Sequence, residues 1–149
     1  MHFKKDIIIR FLVIIFITVT VSVCLSVWAI SSKTTSNIVS DMSYNEAIKE
    51  NKPFIIFFYT DWCSYCVKFA PKYKILTETY SDKYNFVKIN ADNNEKLMYE
   101  YAVGSIPSLY IIDPSINNRI FISNTLYGDL KKIKTELDRY LRIRKMIKQ

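Results

Sequence analysis

Histidine is almost missing from this 149-residue chain: His2, near the extreme N-terminus, is the single one. That excludes a histidine-based catalytic dyad inside a folded domain and nearly every zinc site. Cysteine is scarce as well. Cys24, Cys63 and Cys66 are too few for a disulfide-framework miniprotein. Two glycines and four prolines stand against 50% hydrophobic and 23% charged residues, which excludes a collagen-like or disordered chain. Internal repeats and low-complexity tracts are also missing. The length leaves room for one domain and one appended segment.

The net charge is +7, unevenly placed. Residues 32–130 hold 10 Lys and Arg against 11 Asp and Glu. The excess sits after Leu130, in Lys131, Lys132, Lys134, Arg139, Arg142, Arg144, Lys145 and Lys148, opposed by Glu136 and Asp138. Leu130, Ile133, Leu137, Tyr140 and Leu141 recur there at helical spacing. Two readings stay open: a surface helix with a solvated basic face, or contact with an anionic membrane surface or acidic partner. Nucleic-acid binding is not expected, because no basic patch with interleaved aromatics occurs elsewhere.

Residues 11–30 carry no charge, a run long enough to span a bilayer as a helix. Lys4, Lys5 and Arg10 precede it, so the positive-inside rule puts residues 1–10 in the cytoplasm and the rest outside. The expectation is a single-pass inner- or plasma-membrane anchor. The alternative is a signal peptide cleaved near Ala29 and Ser31, giving a secreted protein. Cys24 reads as an apolar filler of that segment. Residues 31–42, rich in Ser, Thr and Asn, read as a linker to a domain at 43–149.

Within that domain, Ser43 to Asn51 reads as a short helix with Ala47 and Ile48 as its apolar positions. Pro53 to Thr60 is a continuous apolar run, the pattern of a strand buried on both faces. A helical pattern follows from Asp61 to about Ser81, then a strand at Tyr84 to Asn90. Asp92 is expected to cap a short helix reaching Ala102. Ser108 to Asp113 and Arg119 to Ser123 read as an antiparallel hairpin around Asn117-Asn118, before the basic helix. The order implies an α/β core with mixed strand directions.

The chemistry concentrates in Trp62-Cys63-Ser64-Tyr65-Cys66, just after the buried strand and at a helix start. Structural zinc needs about four ligands, and this chain does not supply them. Haem attachment needs His after the second cysteine, where Val67 stands. Redox chemistry is the strong reading, and it needs no metal or organic cofactor. Unpaired N–H groups and the positive end of the helix dipole favour a thiolate at Cys63. Cys63 is then the exposed attacking sulfur. Cys66, one turn on and more buried, resolves the mixed disulfide.

At these residues the chain resembles the thioredoxin family, over roughly Ser43 to Leu141. Ala70-Pro71 matches the family's helix proline, and Asn90-Ala91-Asp92 the end of the family's third strand. Tyr101-Ala102-Val103-Gly104-Ser105-Ile106-Pro107-Ser108-Leu109 resembles the segment with its cis-proline. The resemblance implies a thioredoxin fold, a central mixed β-sheet flanked by helices. It also implies a cis Ile106-Pro107 bond facing the sulfurs, which presents the Ile106 backbone to an extended substrate chain. Gly128 falls where the family has a glycine near the same surface. Pro107 follows Cys66 by 41 positions, the uninterrupted layout, without the insertions of cytochrome-maturation proteins or disulfide-forming oxidases. Lys52-Pro53-Phe54 through Tyr59-Thr60-Asp61-Trp62-Cys63 is similar to the exported domain of transmembrane thiol reductases.

Two departures stand out. Phe57 occupies the place of the family's buried Asp, six residues before Cys63, and is expected to hold Cys66 protonated by desolvation. Ser64-Tyr65 replaces the usual Gly-Pro spacer, which leaves the reaction direction open; Tyr65 is a candidate aromatic contact to substrate. The functional expectation is a thiol–disulfide oxidoreductase on protein thiols and disulfides, a reductant or isomerase, in the periplasm. Trp62 flanks the sulfurs, and Ile106 and Pro107 position the client. In an oxidising compartment such an enzyme needs an electron donor, for which a transmembrane thiol reductase is expected. The alternatives are a disulfide-forming oxidase and a non-catalytic thioredoxin-fold adaptor or chaperone. The C-terminus Met146-Ile147-Lys148-Gln149 carries no ER-retention signal, which favours the periplasm over a eukaryotic lumen.

Overall fold

A computed structural model describes residues 14–17 and 42–149. The chain divides into two units, Met1–Ile38 and Val39–Gln149. In the first, residues 14–17 form a helical turn with all four side chains exposed. The rest of the expected anchor at 11–30, the N-terminal residues 1–10 and the linker before Met42 lie outside the described residues. Among the described residues no helix is long and apolar enough to cross a membrane.

The second unit is built on β1 (Phe54–Tyr59), whose first five residues are buried. Continuous burial follows from its place inside a four-stranded sheet of order β2-β1-β3-β4, covered on both faces. It runs parallel to β2 (Asn85–Asn90) and antiparallel to β3 (Ser108–Asp113). Phe57 lies between Lys88 and Leu109 in that register. β4 (Asn118–Ile122) closes the expected hairpin with β3, around Asn117 in the left-handed region at φ 48°. A parallel pair needs a crossover, and α2 (Ser64–Tyr80) supplies it.

Alternation along β1 splits the core in two. Ile55 and Phe57 join Phe69, Tyr73 and Leu76 of α2 with Ile133 and Leu137 of α4 (Leu130–Ile147). Phe54, Ile56 and Phe58 face Ala47 of α1 (Tyr44–Ala47), Tyr101, and Leu97 of α3 (Glu95–Glu100). Met42 packs on that second cluster, and its N–H bonds the Phe86 carbonyl at 2.9 Å.

Three local expectations are corrected. α1 stops at Ala47, so Ile48 is exposed; its start is a capping box between Ser43 and Glu46. Asp92 does not cap α3. The side chain of Asn90 accepts the Asp92 N–H at 2.9 Å, in a 3₁₀ turn over Ala91–Asn93, and α3 begins after Asn94. α3 also ends before Ala102. There the Ala102 N–H bonds Tyr99 O at 3.0 Å and the Val103 N–H bonds Met98 O at 2.9 Å. Together they form a Schellman motif with Ala102 at φ 49°, turning the chain toward Pro107.

Tyrosine carries much of the inter-element bonding. Seven of the eleven are buried, and each hydroxyl has a partner, as burial of a polar group requires. Tyr73 reaches Val87 O at 3.0 Å, Tyr84 reaches Leu137 O at 2.8 Å, and Tyr110 reaches Tyr101 O at 3.0 Å.

The basic face of α4 is not wholly solvated. Arg144 turns inward, and its Nε donates to the fully buried Asp113, with its NH2 group on Asn51 O at 3.0 Å. The Tyr140 hydroxyl also donates to Asp113, at 2.9 Å, and Ser115 donates through N–H and hydroxyl. Burial alone pushes the Asp113 carboxyl up. The bonds from Arg144, Ser115 and Tyr140 outweigh it and hold the carboxyl below its ordinary value.

Candidate active site

Beyond the C-terminal end of β1, Thr60 to Trp62 turn the chain into α2. Cys63 is the N-cap residue of α2, in extended backbone conformation, and its sulfur accepts the Cys66 N–H at 3.2 Å. The helix therefore directs one of its otherwise unpaired N–H groups at the sulfur. The Cys63 thiol also lies 3.9 Å from Ile106 O. Both cysteines are free thiols.

Cys63 is less exposed than expected. It is 7% exposed and Cys66 2%, so the order holds while the front sulfur is itself mostly covered. Cover around it comes from Ile106, packed against the same core. Burial pushes the Cys66 thiol up to about 11, with a further push from the hydrogen bond to Cys63. Phe57 is fully buried in that same cluster, with ring contacts to Phe69 at 5.3 Å and Tyr73 at 5.0 Å. It adds apolar bulk where a carboxylate would have added a proton acceptor.

A protonated, buried Cys66 makes alkylation ordered. With limiting iodoacetamide at neutral pH, mass spectrometry should find one adduct in this unit, on Cys63. Modification of Cys66 should accelerate about tenfold per pH unit until near pH 11, as its thiolate fraction rises. Equal labelling of both at neutral pH would contradict the arrangement.

The Ile106-Pro107 bond is cis, as the resemblance implies. Trp62 and Tyr65 are both exposed, at 73% and 72%. The Trp62 indole N–H donates to both Asp92 oxygens, at 3.0 and 3.3 Å. Asp92 thus orients the flanking indole, a role its sequence position did not reveal. Tyr65 lines a cavity of about 500 Å³ together with Lys68, Phe69 and Lys72 of α2, Ile106 and Pro107, and Asn124, Tyr127 and Gly128. Of the expected residues, Tyr65, Ile106 and Pro107 line this cavity, with Gly128 beside them; Cys63 lies under the Ile106 carbonyl, Cys66 is buried behind it, and Trp62 stands outside the cavity lining. No sequence motif marks Lys68, Lys72, Asn124 or Tyr127 for this cavity. Residues 65, 68, 69 and 72 do share a helical ridge in the sequence, but the approach of the 124–128 loop is tertiary.

That loop is pinned from two directions. Lys72 Nζ donates to Tyr127 O at 2.9 Å and Gly128 O at 2.8 Å. The Tyr127 hydroxyl accepts from Leu109 N at 2.7 Å and donates to Ile122 O at 3.0 Å. Among the described residues no cluster of His, Cys, Asp and Glu could hold a metal ion.

Comparison with known proteins agrees with this geometry. Residues 35–137 match the family model described as Thioredoxin. The chain is 38% identical over 76 residues to the chloroplastic thioredoxin-like protein HCF164 of Arabidopsis thaliana, 50% of this chain and 29% of that one. It is 35% identical over 72 residues to the thiol:disulfide interchange protein TxlA of Synechococcus elongatus, 47% of this chain and 38% of that one. The match thus spans less than half the length of either relative. Among solved structures, the germline-specific thioredoxin Deadhead of Drosophila melanogaster superposes with a TM-score of 0.53 at 28% identity, covering 62% of this chain and 87% of that one. With its mixed four-stranded sheet, its Cys63–Cys66 pair and a family match over more than half its length, the chain belongs to the thioredoxin family.

Proposed function

We propose that this chain is a membrane-tethered thiol–disulfide oxidoreductase that acts on protein disulfides as a reductant or isomerase. The observation that carries the reading is the paired placement of the sulfurs. Cys63 caps a helix beside a backbone carbonyl, and Cys66 is held protonated behind it.

The chemistry needs only these groups. The Cys63 thiolate attacks one sulfur of a client disulfide, a Cys63–client disulfide forms, and the other client sulfur leaves as a thiolate that takes up a proton. Cys66 then gives up its proton and attacks the Cys63 sulfur. The second client thiolate leaves, the protein holds a Cys63–Cys66 disulfide, and two electrons have passed to the client. Ile106 offers main-chain pairing to the extended client, and Trp62 and Tyr65 bracket it. An external donor must restore the dithiol. A transmembrane thiol reductase is the fitting class for an extracytoplasmic domain tethered through residues 11–30. The charge asymmetry around that apolar segment supports the tether, and the name of TxlA supports the reaction class.

Acid quenching of intact cells followed by thiol alkylation tests the direction. A mostly reduced Cys63–Cys66 pair is expected. A mostly oxidised pair would overturn the reductant reading in favour of disulfide donation to clients.

A further inference from the structure

The reacting sulfurs sit between two surfaces of opposite charge. On the Trp62 side stand Asp92, bound to the indole, and Asp61, bound by Asn90 Nδ2 at 3.3 Å. On the other side, the groove along α2 is lined by Lys68 and Lys72, and by no Asp or Glu. Lys68 is exposed, with its ammonium 5.8 Å from the centre of the Tyr65 ring, so the aromatic side chain and the cation border the same space. Lys72 lies one turn further along the same ridge. Its ammonium has three donors and gives two to the Tyr127 and Gly128 carbonyls, leaving one for a ligand.

Ile106, whose carbonyl lies 3.9 Å from the Cys63 sulfur, lines the groove together with both lysines, so a client chain that leaves Cys63 along it meets them. Helical rise puts Lys68 about 7 Å and Lys72 about 13 Å along α2 from Cys63. An extended chain advances about 3.3 Å per residue, so these distances correspond to about two and four residues. We propose that this groove is a specificity site: it selects clients carrying an acidic side chain about two to four residues from the reacting cysteine, with Lys68 and Lys72 as the cationic contacts. The inference rests on the thiol–disulfide reading and names its substrate class. The acidic flank on the Trp62 side repels the same side chain and so sets the direction in which the client lies.

The test uses the full chain carrying Cys24→Ser and Cys66→Ser, so that one turnover stops at the Cys63–client bond. Peptides with a single cysteine blocked as a pyridyl disulfide are supplied, carrying Glu, Gln or Lys two to four residues away. Release of thiopyridone times the attack of Cys63 on the peptide sulfur. The Glu peptide should react about fivefold faster than the Lys peptide at low salt, with Gln between them. The preference should collapse at high salt. Lys68→Glu should reverse the order, while Lys145→Glu, on exposed α4 surface, should leave the ratio as it was. Equal rates for all three peptides, or a preference that survives Lys68→Glu, would overturn the specificity site and leave the exchange reaction standing. Failure of every peptide, Gln included, would overturn the exchange reaction and this inference with it.

Discussion

Cys63→Ser is expected to reduce disulfide exchange by the protein to the uncatalysed background, a loss of at least about a thousandfold. Serine keeps the helix cap, because its oxygen can still accept the Cys66 N–H that the sulfur now holds at 3.2 Å. Fold and stability should therefore change little, which separates chemistry from structure. Cys66→Ser should behave differently. The first attack proceeds, but no internal thiol releases the client, so a single turnover is followed by arrest. An adaptor that merely binds through its thioredoxin surface would lose nothing in a Cys63→Ser/Cys66→Ser double variant. Reduction of a protein disulfide, followed by client precipitation or thiol release, distinguishes the two in one assay. Retained turnover in Cys63→Ser would contradict the assignment of roles.

Asp113→Ala should cost about 3–5 kcal/mol in urea unfolding, without touching the redox site. Asp113 is fully buried and collects Arg144, Tyr140 and both donors of Ser115. Removing the carboxylate leaves a largely covered guanidinium and a buried hydroxyl with no acceptor. The whole stability of a domain this size is only about 5–15 kcal/mol, so the variant should be near its folding limit. The double variant Asp113→Leu/Arg144→Met should recover the part of the loss that comes from the stranded guanidinium, since it removes both charges and fills the space, while the Tyr140 hydroxyl still lacks its acceptor. The pH dependence has a definite sign. Asp113 has a folded carboxyl below its ordinary value, so its contribution is full above about pH 4 and is lost as pH falls below that toward the folded value. The acid limb of the double variant should be shallower than that of the parent. Identical limbs would show that the pair contributes nothing.

What the sequence makes legible follows how local the cause is. The run from Pro53 to Thr60 announces a doubly buried strand because both of its faces are apolar, and β1 lies inside the sheet. The hairpin shows in two strand-like runs around Asn117-Asn118, and Asn117 takes the left-handed turn. The Cys-x-x-Cys pair at a helix start is likewise a local pattern, and Cys63 is found as the cap. The cis bond at Ile106-Pro107 came through family resemblance, not through local chemistry.

The misreadings concern side chains whose partners are distant. Asp92 has the composition of a helix cap, but Trp62, thirty positions earlier, takes its carboxylate. Arg144 looks like one more solvated cation until β3 brings Asp113 beneath it. Cys63 was expected at the surface, whereas Ile106 reaches over from a segment 43 residues away. The groove needs α2, the Pro107 loop and the 124–128 loop together, so no single stretch encodes it.

The central claim, that Cys63 attacks and Cys66 resolves, is tested most directly by trapping. The full-length Cys66→Ser variant is expressed in its native host, cells are acid-quenched, and thiol-blocked extracts are separated without reductant. Reductant-sensitive adducts are predicted, each joined by peptide mapping to Cys63 and each missing from the Cys63→Ser/Cys66→Ser double variant. With Cys24→Ser in every variant, adducts that persist in the double variant, or none in Cys66→Ser while the parent turns over disulfides, would contradict the account.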